Sequence, residues 1–412
     1  MHAALSPPSS VGMRPEIELL LCCSRTCIDS QRAERLRTLV QEEINWTYLT
    51  QMALRQGVMP LLYFNLNTTC PEAVPQTVLE QLRNHFQSNA LNSLFLASEL
   101  LKLLHLFNEN AIPTIPFKGP VLAASTYGNL TLRQFCDLDI LVREQDFIKA
   151  RELLILKGYQ SIQEYDWEQS FAQSNSGVHV DLHQGIASRY FPVRFDFDRC
   201  WQRLKPISLA GTSVVNLLAE DLLIILCVQV AKDCWYERDR LIKICDIAEL
   251  INAHQTLDWE DVLEQARLLC CTRILFLGLL LAHELLDTAL PQEVLLEIQA
   301  NSTVRSIVLQ VRDRFSQITY IPPDTIEIPL KRLVRSAIFN FQIREGLQDK
   351  LPYILFLLQS AVIPNKKDYD WVSLPAYLSC LYYLLKPLRL AEKYGLKPLR
   401  NLLKRLHFPF LA

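Results

Sequence analysis

The sequence predicts an α+β protein: a small mixed β-sheet core flanked by N- and C-terminal helical regions. Three observations predict it. Apolar residues recur at helical spacing before about residue 110 and again after about residue 217. Between them, Asp137-Leu138-Asp139-Ile140-Leu141-Val142 and Val178-His179-Val180-Asp181-Leu182-His183 alternate with the period of two that a strand requires. Turn signals such as Asn175-Ser176-Gly177 separate these segments. The expected organisation is a disordered start (1–14), a helical region (15–110), a sheet-containing core (111–216), a second helical region (217–320) and a C-terminal helical region with a basic tail (321–412).

Taken in order, residues 16–27 and 30–56 carry helical patterns, with Leu36, Leu39, Val40, Ile44 and Tyr48 as one face. Pro60 suits a helix start, where its missing N–H costs nothing. Residues 71–110 read as two helices, the second over 90–108. An apolar run at 112–117 leads to Lys118-Gly119, and Pro120 opens a short helix that Gly128-Asn129 closes. After the strand that ends at Val142, residues 144–157 form a helix with Phe147, Ala150, Leu153 and Leu154 inward and Gly158 at its end. A strand at 159–165, a hairpin that brings the 178–183 strand and Asp181 beside Asp137 and Asp139, and a further hairpin around Gly211 complete the core. Asp196 or Asp198, and Asp258, are expected helix N-caps, their carboxylates accepting backbone N–H groups. Helical patterns then run over 222–230, 241–253, 258–271, 274–286, 302–319 and 326–363. The stretch 375–406 is basic and amphipathic, with Lys386, Arg389, Lys393, Lys397, Arg400, Lys404 and Arg405, and is expected to pack against the body of the protein.

Composition narrows the function classes. With 412 residues, 50% of them hydrophobic, the chain can bury a substantial core. A net charge of −2 gives no global case for nucleic-acid binding. The 12 cysteines include no CxxC pair, and read as reduced, mostly buried thiols of a cytoplasmic protein. The start does not resemble a signal peptide, and the apolar window 274–282 is too short to span a bilayer, so no integral membrane segment is expected.

The chemistry concentrates at 112–142. In a strand, Asp137 and Asp139 project to one face while Leu138, Ile140 and Val142 project to the other. Two carboxylates about 4 Å apart at an effective dielectric near 20 repel by roughly 4 kcal/mol, so the pair calls for water or a cation. Asp181, alternating with Val180 and Leu182, supplies a third carboxylate if its strand lies beside the first. Upstream, Lys118 and Gly119 at a helix start suit phosphates through charge, close backbone approach and free N–H groups. His183 is a candidate substrate contact, Lys232 is a candidate phosphate contact, and Arg133 is a candidate either for a phosphate or for pairing with one of the carboxylates. A rival set, His179, Asp181 and His183, suits Zn²⁺ and hydrolysis. A second DxD, Asp196-Phe197-Asp198, lacks the upstream Gly-helix element and reads as a helix cap.

Gly119, then Asp137-x-Asp139, then a later Asp flanked by apolar residues, resembles the active-site pattern of polymerase-β-like nucleotidyltransferases. The longer run Phe-Lys-Gly-Pro-Val-Leu, Tyr-Gly, Arg133, Asp-Leu-Asp-Ile-Leu-Val and Val-Asp-Leu-His is similar to a bacterial family of poorly characterised nucleotidyltransferases, with likeness continuing through Ala231-Lys232-Asp233-Cys234-Trp235, Cys245-Asp246-Ile247-Ala248 and Leu381-Tyr382-Tyr383-Leu384-Leu385-Lys386-Pro387-Leu388-Arg389, over most of the chain from about residue 90 onward. Where that superfamily often has Gly-Ser or Gly-Gly, this chain has Gly119-Pro120, and its gap to the first Asp is longer. The resemblance implies transfer of a nucleoside monophosphate from an NTP, with ATP expected, to an acceptor hydroxyl. It also implies two Mg²⁺ (or Mn²⁺) ions on Asp137, Asp139 and Asp181, which are the implied catalytic residues, with Lys118, Gly119, Arg133 and Lys232 on the nucleotide. The acceptor is not legible. The alternative is a nucleotide sensor or interaction scaffold on the same fold.

Overall fold

The computed structural model describes residues 13–316 and 330–393, and the chain divides into two compact units, Met1–Thr319 and Tyr320–Ala412. The expected disorder at 1–14, the 321–324 link and the basic tail beyond residue 393 fall largely outside the described residues.

The first unit begins with helices α1 (Pro15–Cys22), α2 (Ser30–Leu39), α3 (Trp46–Gln56), α4 (Met59–Thr69) and α5 (Gln76–Glu109). The two helices expected over 71–110 are one helix, α5, of 34 residues. Its polar middle suggested a break, but it holds neither Gly nor Pro. Asn89 and Asn92 there donate to the carbonyls of Thr131 and Phe135, so the polar stretch is bonded rather than broken. Alone among the described helices, α5 is long and apolar enough to cross a bilayer. In this fold its Leu96, Ala97, Leu100, Leu103 and Phe107 are buried against the sheet.

The core follows as β1 (Thr114–Pro116), α6 (Gly119–Thr126), β2 (Asp137–Val142), α7 (Glu144–Leu156), β3 (Tyr159–Glu164), β4 (Glu168–Gln173) and β5 (His179–His183). The sheet order is β1-β2-β5-β4-β3. β4 and β5 form a hairpin through the Asn175-Ser176-Gly177 turn, while β5 pairs with β2 in parallel. Leu138, Ile140 and Val142 of β2, Val180 and Leu182 of β5 and Phe171 of β4 face one way, into α5 and α7. The opposite face carries Asp137, Asp139, Asp181, His183, Glu168 and Ser170.

After α8 (Phe197–Gln202), capped by Asp196 as expected, come the hairpin β6 (Lys205–Leu209) and β7 (Thr212–Asn216). Helices α9 (Ala219–Trp235), α10 (Leu241–Ala253), α11 (Trp259–Leu268), α12 (Thr272–Leu286), α13 (Gln292–Ala300) and α14 (Ser302–Ser316) close the unit. α9 is apolar nearly all round and correspondingly buried. All 12 cysteines are unbridged; seven are buried, and Cys27, Cys136 and Cys380 are exposed. The second unit contains α15 (Leu330–Ile343), α16 (Leu347–Val362), α17 (Lys366–Trp371) and α18 (Tyr382–Lys393). There Lys386 is buried, and Arg389 Nε donates to Asp368 at 2.6 Å, so these two basic residues are held within the second unit itself.

Gly278 of α12 sits tightly against α9 and α10. A Cβ there would stand 2.6 Å from Cys227 Sγ of α9 and 2.9 Å from Ile247 Cδ1 of α10. Gly278→Ala is therefore expected to cost about 1–3 kcal/mol through overpacking, read as a lower urea midpoint at unchanged slope. An unchanged midpoint would contradict this packing.

Candidate active site

The site is built by the register of two parallel strands. Asp137 lies opposite His179, Asp139 opposite Asp181, and Leu141 opposite His183. Because paired residues share a face, this register alone stacks the acidic groups. Ligand atoms of Asp139, Asp181 and His183 lie within 4.8 Å of one another. Asp137 stands half-buried at the rim of this group, within electrostatic reach of both other carboxylates. His179 is exposed and outside it, so the fold does not assemble the set His179, Asp181 and His183; Asp139 takes the place of His179.

Gly119 explains how the helix α6 comes to the carboxylates. Its φ is +53°, and a Cβ there would stand 3.2 Å from the carbonyl oxygen of Asp137. Only glycine combines that conformation with that approach at little cost. Lys118 precedes the helix, and Pro120 lies in its first turn.

Electrostatics separate the carboxylates. Burial alone would push Asp139 up, but Lys118 and His183 more than offset it and hold the group well below the usual carboxylate range. Lys118 Nζ donates to Asp139 Oδ1 at 2.6 Å, and His183 Nε2 stands 3.0 Å from the same oxygen. An ionised carboxylate only accepts, so Nε2 carries the imidazole proton. The other ring nitrogen is 3.3 Å from Glu168 Oε2 but not aligned to bond it. The edge of the His183 ring packs on Phe117 at 5.1 Å. Burial and the Asp139 charge raise Asp137 to about 6. Burial and Asp139 also raise Asp181, against a hydrogen bond from Ser170.

These residues fit a hard divalent cation. The donors are mainly carboxylate oxygens, two of them destabilised as anions by burial and by each other, and His183 is engaged as a donor to Asp139.

Cations gather beside them. Lys232 Nζ donates to the carbonyl of Ile186 at 3.2 Å and pairs with no carboxylate among the described residues; burial and the charge of Lys118 lower it to about 8. Lys243, which the motif reading missed, is also lowered by burial, lies within reach of Lys118, and bonds Asp233 at 2.8 Å. Glu168 was missed too. Neither residue belongs to a short local pattern; each reaches the site through helix or strand packing.

Arg133 is placed differently from the expected phosphate contact. It is buried, and its Nε and Nη2 donate to the two oxygens of Asp246 on α10, each at 2.8 Å. Tyr127 Oη donates to the same carboxylate at 2.7 Å. This bidentate pair ties the segment before β2, and the end of α6, to α10.

A family model described as "Uncharacterised nucleotidyltransferase" matches residues 42–287, more than half of the chain, and the chain belongs to that family. The match takes in the whole sheet, the site and the Arg133–Asp246 pair, and ends before the second unit begins. No curated protein and no solved structure matches.

Two outcomes follow from the charges. Removing Asp246 leaves a buried guanidinium unpaired, so Asp246→Ala is expected to cost about 3–5 kcal/mol in urea unfolding, while the Arg133→Met/Asp246→Leu double variant recovers much of it. A single-variant cost below about 1 kcal/mol would contradict the pairing. Asp137 binds its proton more tightly folded than unfolded, so its contribution to stability is full below about pH 4 and is lost as pH rises through 6. Asp137→Asn should therefore stabilise the metal-free protein by about 1–2 kcal/mol at pH 7.5 and by almost nothing at pH 4, as followed by thermal melts.

Proposed function

We propose that this family member transfers a nucleoside monophosphate from an NTP to an acceptor hydroxyl, releasing pyrophosphate. The observation that carries the reading is the parallel register that sets Asp139 against Asp181 beside the Gly119 helix start.

Each residue has a role that follows from its surroundings. Asp137, Asp139 and Asp181 would hold one or two Mg²⁺ or Mn²⁺ ions. Such ions, when bound, neutralise phosphate charge and orient the attacking and leaving oxygens. The backbone at Gly119 and the N-terminal end of α6 face anions, as helix starts do. Lys232, which has no carboxylate partner among the described residues, favours a polyphosphate nearby. Asp181, raised by burial and by Asp139, is suited to accept the acceptor's proton. Lys118 and His183 keep Asp139 ionised and fixed in place. The rate would come mainly from positioning and charge stabilisation, as in phosphoryl transfer generally.

The test incubates the full chain with each α-labelled NTP, Mg²⁺ or Mn²⁺ and a cell extract. Wild type is expected to label an acceptor only with metal, and Asp181→Asn to lower the rate by about 10²–10⁴-fold. Equal labelling by wild type and by the Asp137→Ala/Asp139→Ala variant would overturn the assignment.

A further inference from the structure

Beside the carboxylates the fold builds an aromatic shelf that the chemistry above does not use. Tyr165 stacks on Trp167 with centroids 4.6 Å apart and planes 16° apart. Trp167 immediately precedes Glu168, whose carboxylate stands 3.3 Å from His183. On the other side, Lys232 Nζ lies 5.2 Å from the centre of the Trp167 ring. The shelf therefore lies against Lys232, a cation expected to meet phosphate and itself within electrostatic reach of Glu168 and Asp139.

The shelf is held firmly. Backbone N–H groups of Gln184 and Gly185 both donate to the Trp167 carbonyl, at 3.0 and 3.1 Å. A Cβ on Gly185 would come within 3.1 Å of Trp167 Cβ, so glycine permits the close fit. Arg189 binds Asp166 through both its backbone N–H and Nε. A second stack runs Phe191–Trp235–Tyr236, with centroids 5.5 and 5.3 Å apart, and Tyr236 lies within electrostatic reach of Tyr165.

A purely structural stack would bury its rings. Instead Tyr165 is 41% exposed and Tyr236 49% exposed. The Trp167 indole N–H is buried without a hydrogen-bond partner among the described residues, although buried indoles ordinarily find one. We infer that the Tyr165–Trp167 shelf binds a flat aromatic ring next to the metal group, and that this ring is the base of the nucleotide. The inference rests on the nucleotidyl-transfer reading for its ligand, but not for the stacking itself. Because every base has a π-face, stacking of this kind discriminates weakly among the four. Lys232, between the shelf and the carboxylates, would then sit where base and polyphosphate meet one protein surface.

The test measures calorimetric affinities of wild type and Tyr165→Ala for Mg–ATP and Mg–tripolyphosphate, and tryptophan quenching by free adenosine. Trp167→Phe, which keeps a ring, controls for damage to the fold. Tyr165→Ala is expected to weaken Mg–ATP by about 5- to 100-fold. It should leave Mg–tripolyphosphate unchanged and abolish the adenosine quench, while Trp167→Phe keeps most of the Mg–ATP affinity. If ATP affinity is unchanged but adenosine still quenches at saturating ATP, and only with Tyr165 present, the shelf holds the acceptor's ring and the nucleobase assignment is overturned. No adenosine quench, with ATP and tripolyphosphate equally indifferent to Tyr165→Ala, overturns the shelf and leaves the transferase reading standing. Failure of both ATP and tripolyphosphate to bind sinks the transferase reading, and the adenosine arm still decides the shelf.

Discussion

Everything at the site depends on β2 and β5 pairing in parallel with Asp139 opposite Asp181. A shift of one residue would turn every side chain of one strand to the other face. The carboxylates would then enter the core, and the leucines and valines would meet water. Burial of Leu138, Ile140, Val180 and Leu182 therefore fixes the acidic cluster as firmly as it fixes the core. The fold accepts the repulsion among the three carboxylates because the other face of the same two strands is so well buried.

The helices around this sheet hold its approach as well as its stability. Lys232 comes from α9, and Lys243 and Asp246 come from α10. Asp246 receives three donors from Arg133 and Tyr127, which bracket the link between α6 and β2. The glycine start of α6, the strand of the carboxylates and the cation-bearing helices are thus fastened together by one buried charge pair. The family match likewise runs past the sheet and through these helices, to residue 287.

Much of this was legible in the sequence, for reasons particular to each element. The Asp-Leu-Asp-Ile alternation declares both a strand and its two faces, and the Gly-Pro step declares a helix start. The hairpin into β5 was legible from its turn, but the residues of β4 were not: Glu168-Gln169-Ser170-Phe171-Ala172-Gln173 is polar, and Phe171 is its only large core side chain. α5 was read as two helices because its middle is polar, although nothing there breaks a helix. The partner of Arg133 lies 113 residues away, a distance at which no local pattern speaks. Glu168 and Lys243 escaped notice for the same reason, since sheet order and helix docking bring them to the site.

The most direct measurement is Mn²⁺ binding to the full chain, followed by electron paramagnetic resonance, in wild type and in Asp139→Asn and Asp181→Asn. The account predicts one or two bound ions in wild type and marked weakening in each variant, with both variants folded by circular dichroism. Wild-type protein that leaves Mn²⁺ free, or variants that bind it as tightly as wild type, would contradict it.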